Sequence, residues 1–508
     1  MAKDSYPVVD LFAGPGGLGE GFAALLTKRK PVFETLVSIE RDVFAHQTLL
    51  LRHFFRGFDS KKPPSEYYNY LAGEIDLLKL SKLYPAQWKK AGQSALKISL
   101  GESTHEEVKK IISGRLKGSK KWVLVGGPPC QAYSLVGRSR RANDPEFEQD
   151  EKHFLYKEYL KIITDHKPPV FVMENVKGLL SAKIQGEPVI QKILRDLSKP
   201  KKAVGRSDNG LSYKLYSLSE KAEFKGDVDP ASFVVKAEDY GVPQARHRMF
   251  IVGIRSDLDV VPGVLQKQDS ITVKDVIGKM PKIRSGISKG TDTTERWQKL
   301  ILSASKSRWL QKISASNDEF AQTIDKYLNS RSALPTHKSS QRYTAPKVMQ
   351  DWYCDENLKV LTLHESRSHM ETDLYRYLFA ASYSEALDIS PKLSDFPHEL
   401  LPNHKNVEEG RNGKMFSDRF RVQLPDRAST TVTSHISKDG HYYIHFDPSQ
   451  CRSLTVREAA RLQTFPDNYH FEGPRTEQYH QVGNAVPPYL AKQIAEIIKD
   501  VLDRIEED

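Results

Sequence analysis

At 508 residues the chain is too long for one small core, and its 39% hydrophobic and 28% charged residues exclude a disordered protein. The formal charge of +11 points to a polyanionic partner, nucleic acid first. Only Cys130, Cys354 and Cys451 are present, far apart, which argues against a disulfide framework or zinc site and for a reducing compartment. No run reaches the roughly 20 apolar residues of a membrane span, and MAKDSYPVVDLF lacks the apolar centre of a signal peptide, so a cytoplasmic setting is expected.

In chain order, PVVDLF (7–12) reads as a strand, GLGEGFAALL (17–26) as a helix, TLVSIE (35–40) as a strand and DVFAHQTLLLRHF (42–54) as a helix. KWVLVGG (121–127) and VFVMEN (170–175) read as strands, with helical FLYKEYLKIITDH (154–166) between them; VIQKILRDLS (189–198) is helical and MFIVGIR (249–255) a strand. Continuous apolar strands alternating with amphipathic helices predict an α/β fold whose mostly parallel sheet is covered on both faces. After Arg255 the rhythm changes, and 256–425 is richer in Ser, Lys, Arg and isolated aromatics, so a second domain is expected there. YLAKQIAEIIKDVLDRI (489–505) is helical again and is expected to return to the first domain; no internal repeat is visible.

The residues that carry chemistry sit at strand ends. DLFAGPGGLGEGF (10–22) is a glycine-rich turn that lets backbone approach a ligand and aims a helix N-terminus at it. Pro15 between the glycines fits an adenosine with an amino-acid tail better than a pyrophosphate, and Glu40 at the next strand's end can accept from two ribose hydroxyls. The competing reading is a glycine-rich helix start with no ligand. Cys130, in GGPPCQAYS (126–134), follows a strand end between prolines, where a thiol can serve as nucleophile rather than as a small buried hydrophobe. Glu174, after four apolar residues, would have a raised pKa in a closed pocket and could donate a proton, unless it merely caps the following turn. Arg246 and Arg248, two apart at a strand start, are expected to point to one ligand-facing side, against the alternative of a solvated pair.

Five blocks, DLFAGPGG (10–17), PPCQ with Cys130, ENV (174–176), QARHR (244–248) and GNAVPP (483–488), resemble in order the signatures of the DNA (cytosine-5) methyltransferases. The resemblance covers 7–255 and about 427–498. It implies a Rossmann-like catalytic domain at 1–270, completed by 482–508, and a smaller target-recognition domain at 271–481 that reads double-stranded DNA. It implies S-adenosyl-L-methionine as cofactor, Cys130 as the nucleophile that adds to carbon 6 of a flipped cytosine, Glu174 on N3 and the exocyclic amine, and Arg248 on O2 with Arg246 beside it. Gln131 and Ser134 join the catalytic set, and the loop 131–144 would close over DNA with Arg138, Arg140 and Arg141 on phosphates.

To the cofactor the resemblance assigns Phe12, Gly14, Gly16, Gly17, Leu18, Glu40, Arg41, Pro128, Asn484 and Val486. The family's Gly-Asp pair after the third strand is matched here by YLAGEIDLL, giving Glu74 and Ile75, with Asp76 as the alternative acid. No metal is implied. RSLTVREAARLQTFPD (452–467) resembles the tail of the small domain, which makes Cys451 structural. A monomer of restriction-modification type is expected, paired with a restriction endonuclease but not in a stable complex with it, in the bacterial cytoplasm at the nucleoid. Two further readings are a tRNA cytosine-5 methyltransferase, opposed by the long segment before RASTTVT (427–433), and a catalytically idle DNA-binding scaffold, opposed by intact Cys130, Glu174 and Arg248.

Overall fold

The computed structural model describes residues 5–506 apart from 59–62, 130–154, 185, 208–209, 226–227, 317, 330–332, 338–346, 403–406 and 408–416. Eight strands form the central sheet: β1 Tyr6–Leu11, β2 Phe33–Glu40, β3 Ala95–Lys97, β4 Val123–Gly126, β5 Val170–Val176, β6 Tyr213–Tyr216, β7 Val234–Lys236 and β8 His247–Arg255. Their order is β6-β8-β5-β4-β1-β2-β3, with β7 also paired to β8. β1 to β5 are mutually parallel where they pair, and β8 runs antiparallel to β5, β6 and β7. The chain therefore winds outward from β1 to β3 and returns to β4. That reversal opens a crevice beyond the carboxyl ends of β1 and β4, the place where such sheets bind ligands.

Side chains alternate across the sheet and feed two cores. Val9, Leu11, Leu124, Phe171, Met173 and Ile251 pack under the helices His105–Leu116, Leu155–His166 and Val189–Ser198. Val8, Val123, Val125, Val172, Phe250 and Val252 face the first helix, Gly17–Ala24, and the last, Pro488–Arg504. Each buried Val, Leu, Ile or Phe is worth about 1.5–3 kcal/mol, so both layers stabilise the sheet that sets the site. A Cβ on Gly21 would collide with Ala491, so a glycine there lets the two helices touch.

Residues 271–485 build two further clusters, one around Tyr353, Leu454, Phe465 and Tyr469, the other around Trp309, Tyr377, Phe379 and Phe420. The first surrounds a polar lattice in which Arg452, Arg457, Glu458 and Arg461 are completely buried. Cys451 is buried in the second cluster, its thiol donating to Pro448 O at 3.1 Å. Among the described residues, no helix is long and apolar enough to cross a membrane.

Candidate active site

Strand register gathers the site. Leu11, Ile39, Gly126 and Met173 stand level across β2-β1-β4-β5, so the next residue of each strand, Phe12, Glu40, Gly127 and Glu174, meets the crevice. Because β8 is antiparallel, its amino end reaches the same edge, with Arg248 opposite Val176.

On the β1–β2 side the chain leaves β1 through three left-handed residues, Phe12 (φ 57°), Gly14 (58°) and Gly16 (96°). Gly14 N donates to Glu40 Oε2 at 2.9 Å, while Glu40 Oε1 accepts from the amides of Arg41 and Asp42 at 2.8 and 2.7 Å. A Cβ on Gly14 would meet nothing within 4 Å, whereas one on Gly16 would press on Leu49 and Tyr469, and one on Gly17 on the Val486 carbonyl. The loop is open on one side and clamped on the other. Phe12 is half-buried, Leu18 and Val486 are buried, and Arg41 is exposed at the strand end. Asn484 is exposed, its amide 3.2 Å from His480 Nε2.

Behind the loop lies a group that the motif reading passed over. Asp10 is fully buried and neither carboxylate oxygen completes a hydrogen bond among the described residues. Burial, then the nearby Glu40 charge, pushes its carboxyl up to about 8, and the Gly19 amide offsets this only in part. An acid inside the otherwise apolar run PVVDLF was the available signal.

On the β4–β5–β8 side, Glu174 Oε1 is paired with Arg248 Nε at 3.1 Å, the two side chains 15% and 17% exposed. Burial raises the Glu174 pKa, with Arg248 and Arg246 opposing it. Burial likewise lowers the pKa of Arg248. Gly127 passes so close that a Cβ there would lie 2.7 Å from Glu174 Oε2, so a side chain at this position would displace that carboxylate. Asn175 Nδ2 donates to Pro128 O at 3.1 Å, and Asn175 Oδ1 accepts from Val176 N at 2.8 Å, which ties the exit of β4 to the end of β5. Cys130, Gln131, Ser134 and the loop 131–144 with Arg138, Arg140 and Arg141 lie outside the described residues.

Two expected placements differ in the structure. Arg246 does not share a face of one strand with Arg248. It sits between the short strand Gln244–Ala245 and β8, fully buried, with Nη1 donating to Val432 O at 2.8 Å and Nη2 to Gly483 O at 3.1 Å. Two of its donors are thus spent on backbone. Its neighbour Gln244, also missed, donates to Leu462 O and Gln463 Oε1 and accepts from Val432 N.

Glu74 and Ile75 do not follow the third strand of the sheet. They lie in the turn between helices Ser65–Leu71 and Leu77–Leu83, Glu74 exposed, with Asp76 capping the second helix through Lys79 N. The third strand is β3, whose Lys97 pairs with Glu40, and the chain leaves it at Ile98, whose amide donates to Glu40 O at 3.2 Å. The helices at 65–94 separate the Gly-acid pair from that edge.

The chain matches the family model of C-5 cytosine-specific DNA methylases over residues 57–500. It is 32% identical to a type II methyltransferase of Bacillus paralicheniformis over 98% of this chain and 99% of the relative. It is 27% identical to a DNA (cytosine-5-)-methyltransferase of Aeropyrum pernix over 78% of this chain and 85% of the relative. A solved structure of an E. coli prophage protein described as a putative DNA modification methyltransferase shares the fold at a TM-score of 0.51 and 19% identity, covering 98% of this chain and 100% of that one. The family implies DNA as substrate and S-adenosyl-L-methionine as methyl donor. With strand-end chemistry, fold and full-length similarity in agreement, the chain belongs to the C-5 cytosine-specific DNA methylase family and is a DNA (cytosine-5-)-methyltransferase.

Proposed function

We propose that this methyltransferase acts on a cytosine swung out of double-stranded DNA within one short sequence, through a transient covalent bond from Cys130. The observation that carries the reading is the half-open Glu174–Arg248 pair at the end of β5, beside the glycine exit of β4 that leads into Cys130. Extruding the base costs roughly a few kcal/mol, and a carboxyl and a guanidinium aimed at its polar edge repay part of that cost. The Cys130 thiolate adds to carbon 6 and pushes electron density onto carbon 5. Glu174, its pKa raised by burial, brings a proton to N3 and accepts from the exocyclic amine, while Arg248 holds O2. Once carbon 5 carries the transferred methyl group, loss of its remaining proton to water re-forms the double bond between carbons 5 and 6, breaks the bond to sulfur and expels Cys130, while the N3 proton returns to Glu174.

The cofactor loop fits S-adenosyl-L-methionine. Gly14 faces open space, Glu40 presents a carboxylate beside it, and Asp10 behind the loop is a buried acid whose oxygens complete no hydrogen bond among the described residues. Phe12, Gly14, Glu40, Leu18, Asn484 and Val486 would hold the cofactor, which when bound supplies an electrophilic methyl group. Residues 1–270 with 482–508 form the catalytic domain and 271–481 the recognition domain in this reading, and the arginines of the loop 131–144 meet phosphates as it closes. Similarity to type II methyltransferases supports a restriction-modification setting; the reading adds a separate endonuclease and a monomer at the nucleoid.

Bisulfite sequencing of host DNA expressing the chain tests this. Methylation is expected in one short DNA context and is lost in Cys130→Ser, which still binds DNA. Methylation confined to tRNA, or an active Cys130→Ser enzyme, overturns the reading.

A further inference from the structure

The glycine loop is fastened by a residue nearly a chain length away. The phenol of Tyr469 donates to Pro15 O. The same peptide unit carries Gly16 N, which donates to Ala13 O at 3.0 Å, so the Pro15–Gly16 peptide is pinned at both ends. Gly14 and Gly16 flank this unit at positive φ, where glycine rotates freely, and Pro15 has no N–H of its own to add a tether. Gly16 also leaves the room that Tyr469 occupies, since a Cβ there would stand 3.0 Å from the phenol oxygen.

Tyr469 is itself immobilised. Its ring is fully buried against Phe465 and Phe471, with the Arg52 guanidinium 4.7 Å from its centroid. Arg52 in turn grips Glu20 of the first helix through Nε and Nη2 at 2.8 and 2.6 Å and reaches Asn468 at 3.0 Å. The helix that begins at the loop and the segment that carries the phenol therefore share one rigid frame.

We propose that Tyr469 is a positioning residue for the methyl donor: its phenol fixes the Pro15 carbonyl and so sets the direction of the loop that receives the cofactor. This rests on the reading of that loop as the S-adenosylmethionine site. Tyr469→Phe keeps the ring and removes only the donor. Tyr353→Phe is the matched control, because Tyr353 is equally buried and donates to the Arg461 carbonyl, at 2.5 Å, rather than to the loop.

Loss of one such bond corresponds to about a five- to tenfold change in a binding constant. In Tyr469→Phe the KM for S-adenosylmethionine and the calorimetric Kd for S-adenosylhomocysteine are expected to rise by about that factor, with kcat at saturating donor and KM for DNA within about twofold of wild type. Tyr353→Phe should lose comparable thermal stability and leave both cofactor constants unchanged. Unchanged cofactor constants in Tyr469→Phe, or an equal rise in Tyr353→Phe, overturn the role given to Tyr469. A wild-type chain that binds no S-adenosylhomocysteine overturns the reading of the loop itself, a result separable from the first by inspection of the wild type alone.

Discussion

Glu174 and Glu458 are both glutamates paired with an arginine away from bulk water, and they have opposite characters. Glu458 is fully buried; it accepts from Arg452 Nη1 and Nη2 at 2.6 and 2.7 Å and from Thr455 N at 2.8 Å, closing a capping box on the helix Val456–Leu462. Burial alone would raise its pKa, but the Arg452 charge and hydrogen bonds hold it well below the usual carboxylate range. Glu174 has Arg248 Nε at 3.1 Å and an open flank, and there burial wins and its pKa rises. A buried charge with its full set of partners is scaffold; one with a partial set is a reagent waiting for a ligand to complete it.

The same isosteric change should therefore do opposite things in the two regions. Glu174→Gln is expected to cut methyl transfer by about 10²- to 10⁴-fold in single-turnover assays while thermal unfolding stays within about 1 kcal/mol of wild type. Glu458→Gln strands Arg452 as a buried charge and is expected to cost about 3–5 kcal/mol in urea denaturation, with little change in the kinetic constants of the folded fraction. A stable, inactive Glu458→Gln enzyme, or an active, unstable Glu174→Gln one, would erase the distinction.

Proton linkage sharpens the contrast. The Asp10 carboxyl, near 8 when folded, lies above its unfolded value, so its contribution to stability is whole below about pH 4 and is lost as pH rises toward 8. Glu458 is depressed, so its contribution is present above about 4.5 and is lost as pH falls below that. Asp10→Asn is expected to raise Tm over wild type at pH 8 by more than it does at pH 5, whereas Glu458→Gln should converge on wild type only in acid. Tm profiles from pH 4 to 9 check both; parallel Asp10→Asn and wild-type curves would remove Asp10 from the account.

What the sequence made legible follows the same division. Strand-end residues stand out because a polar residue borders an apolar run: Glu40 and Glu174 close one and Arg248 opens one, and register then brings them to one edge. Arg452, Arg457 and Arg461 read as surface charge in a string of letters, and only the third dimension supplies the carbonyls and carboxylates that hide them. Arg246 misled for that reason: a two-residue spacing implies one shared face only if one strand carries both residues, and the chain breaks between them. The Glu74 placement failed because β3 is three residues long and mixed in polarity, so the apolar signal that marks a third strand was too weak to outbid a nearby Gly-acid pair.

The smallest effect concerns Thr464, a β-branched residue held at φ 63° just past the helix Val456–Leu462. Thr464 N donates to Arg461 O and Phe465 N to Ala460 O, both at 2.8 Å, the Schellman termination in which glycine is the usual occupant of this position. Left-handed backbone costs a β-branched residue about 1–2 kcal/mol, so something must hold threonine there. Its hydroxyl oxygen accepts from Tyr489 N at 3.1 Å, satisfying an otherwise orphan amide in the first turn of the last helix, the one that packs on the glycine-loop helix. Thr464→Ala keeps the strain and loses that acceptor, an expected loss of about 1 kcal/mol. Thr464→Gly loses the acceptor but also the strain, and is expected to lie within about 0.5 kcal/mol of wild type. Glycine more stable than alanine is the order a left-handed helix end demands, the reverse of helix-interior propensity; if urea melts instead rank alanine first, backbone strain is not what this position costs.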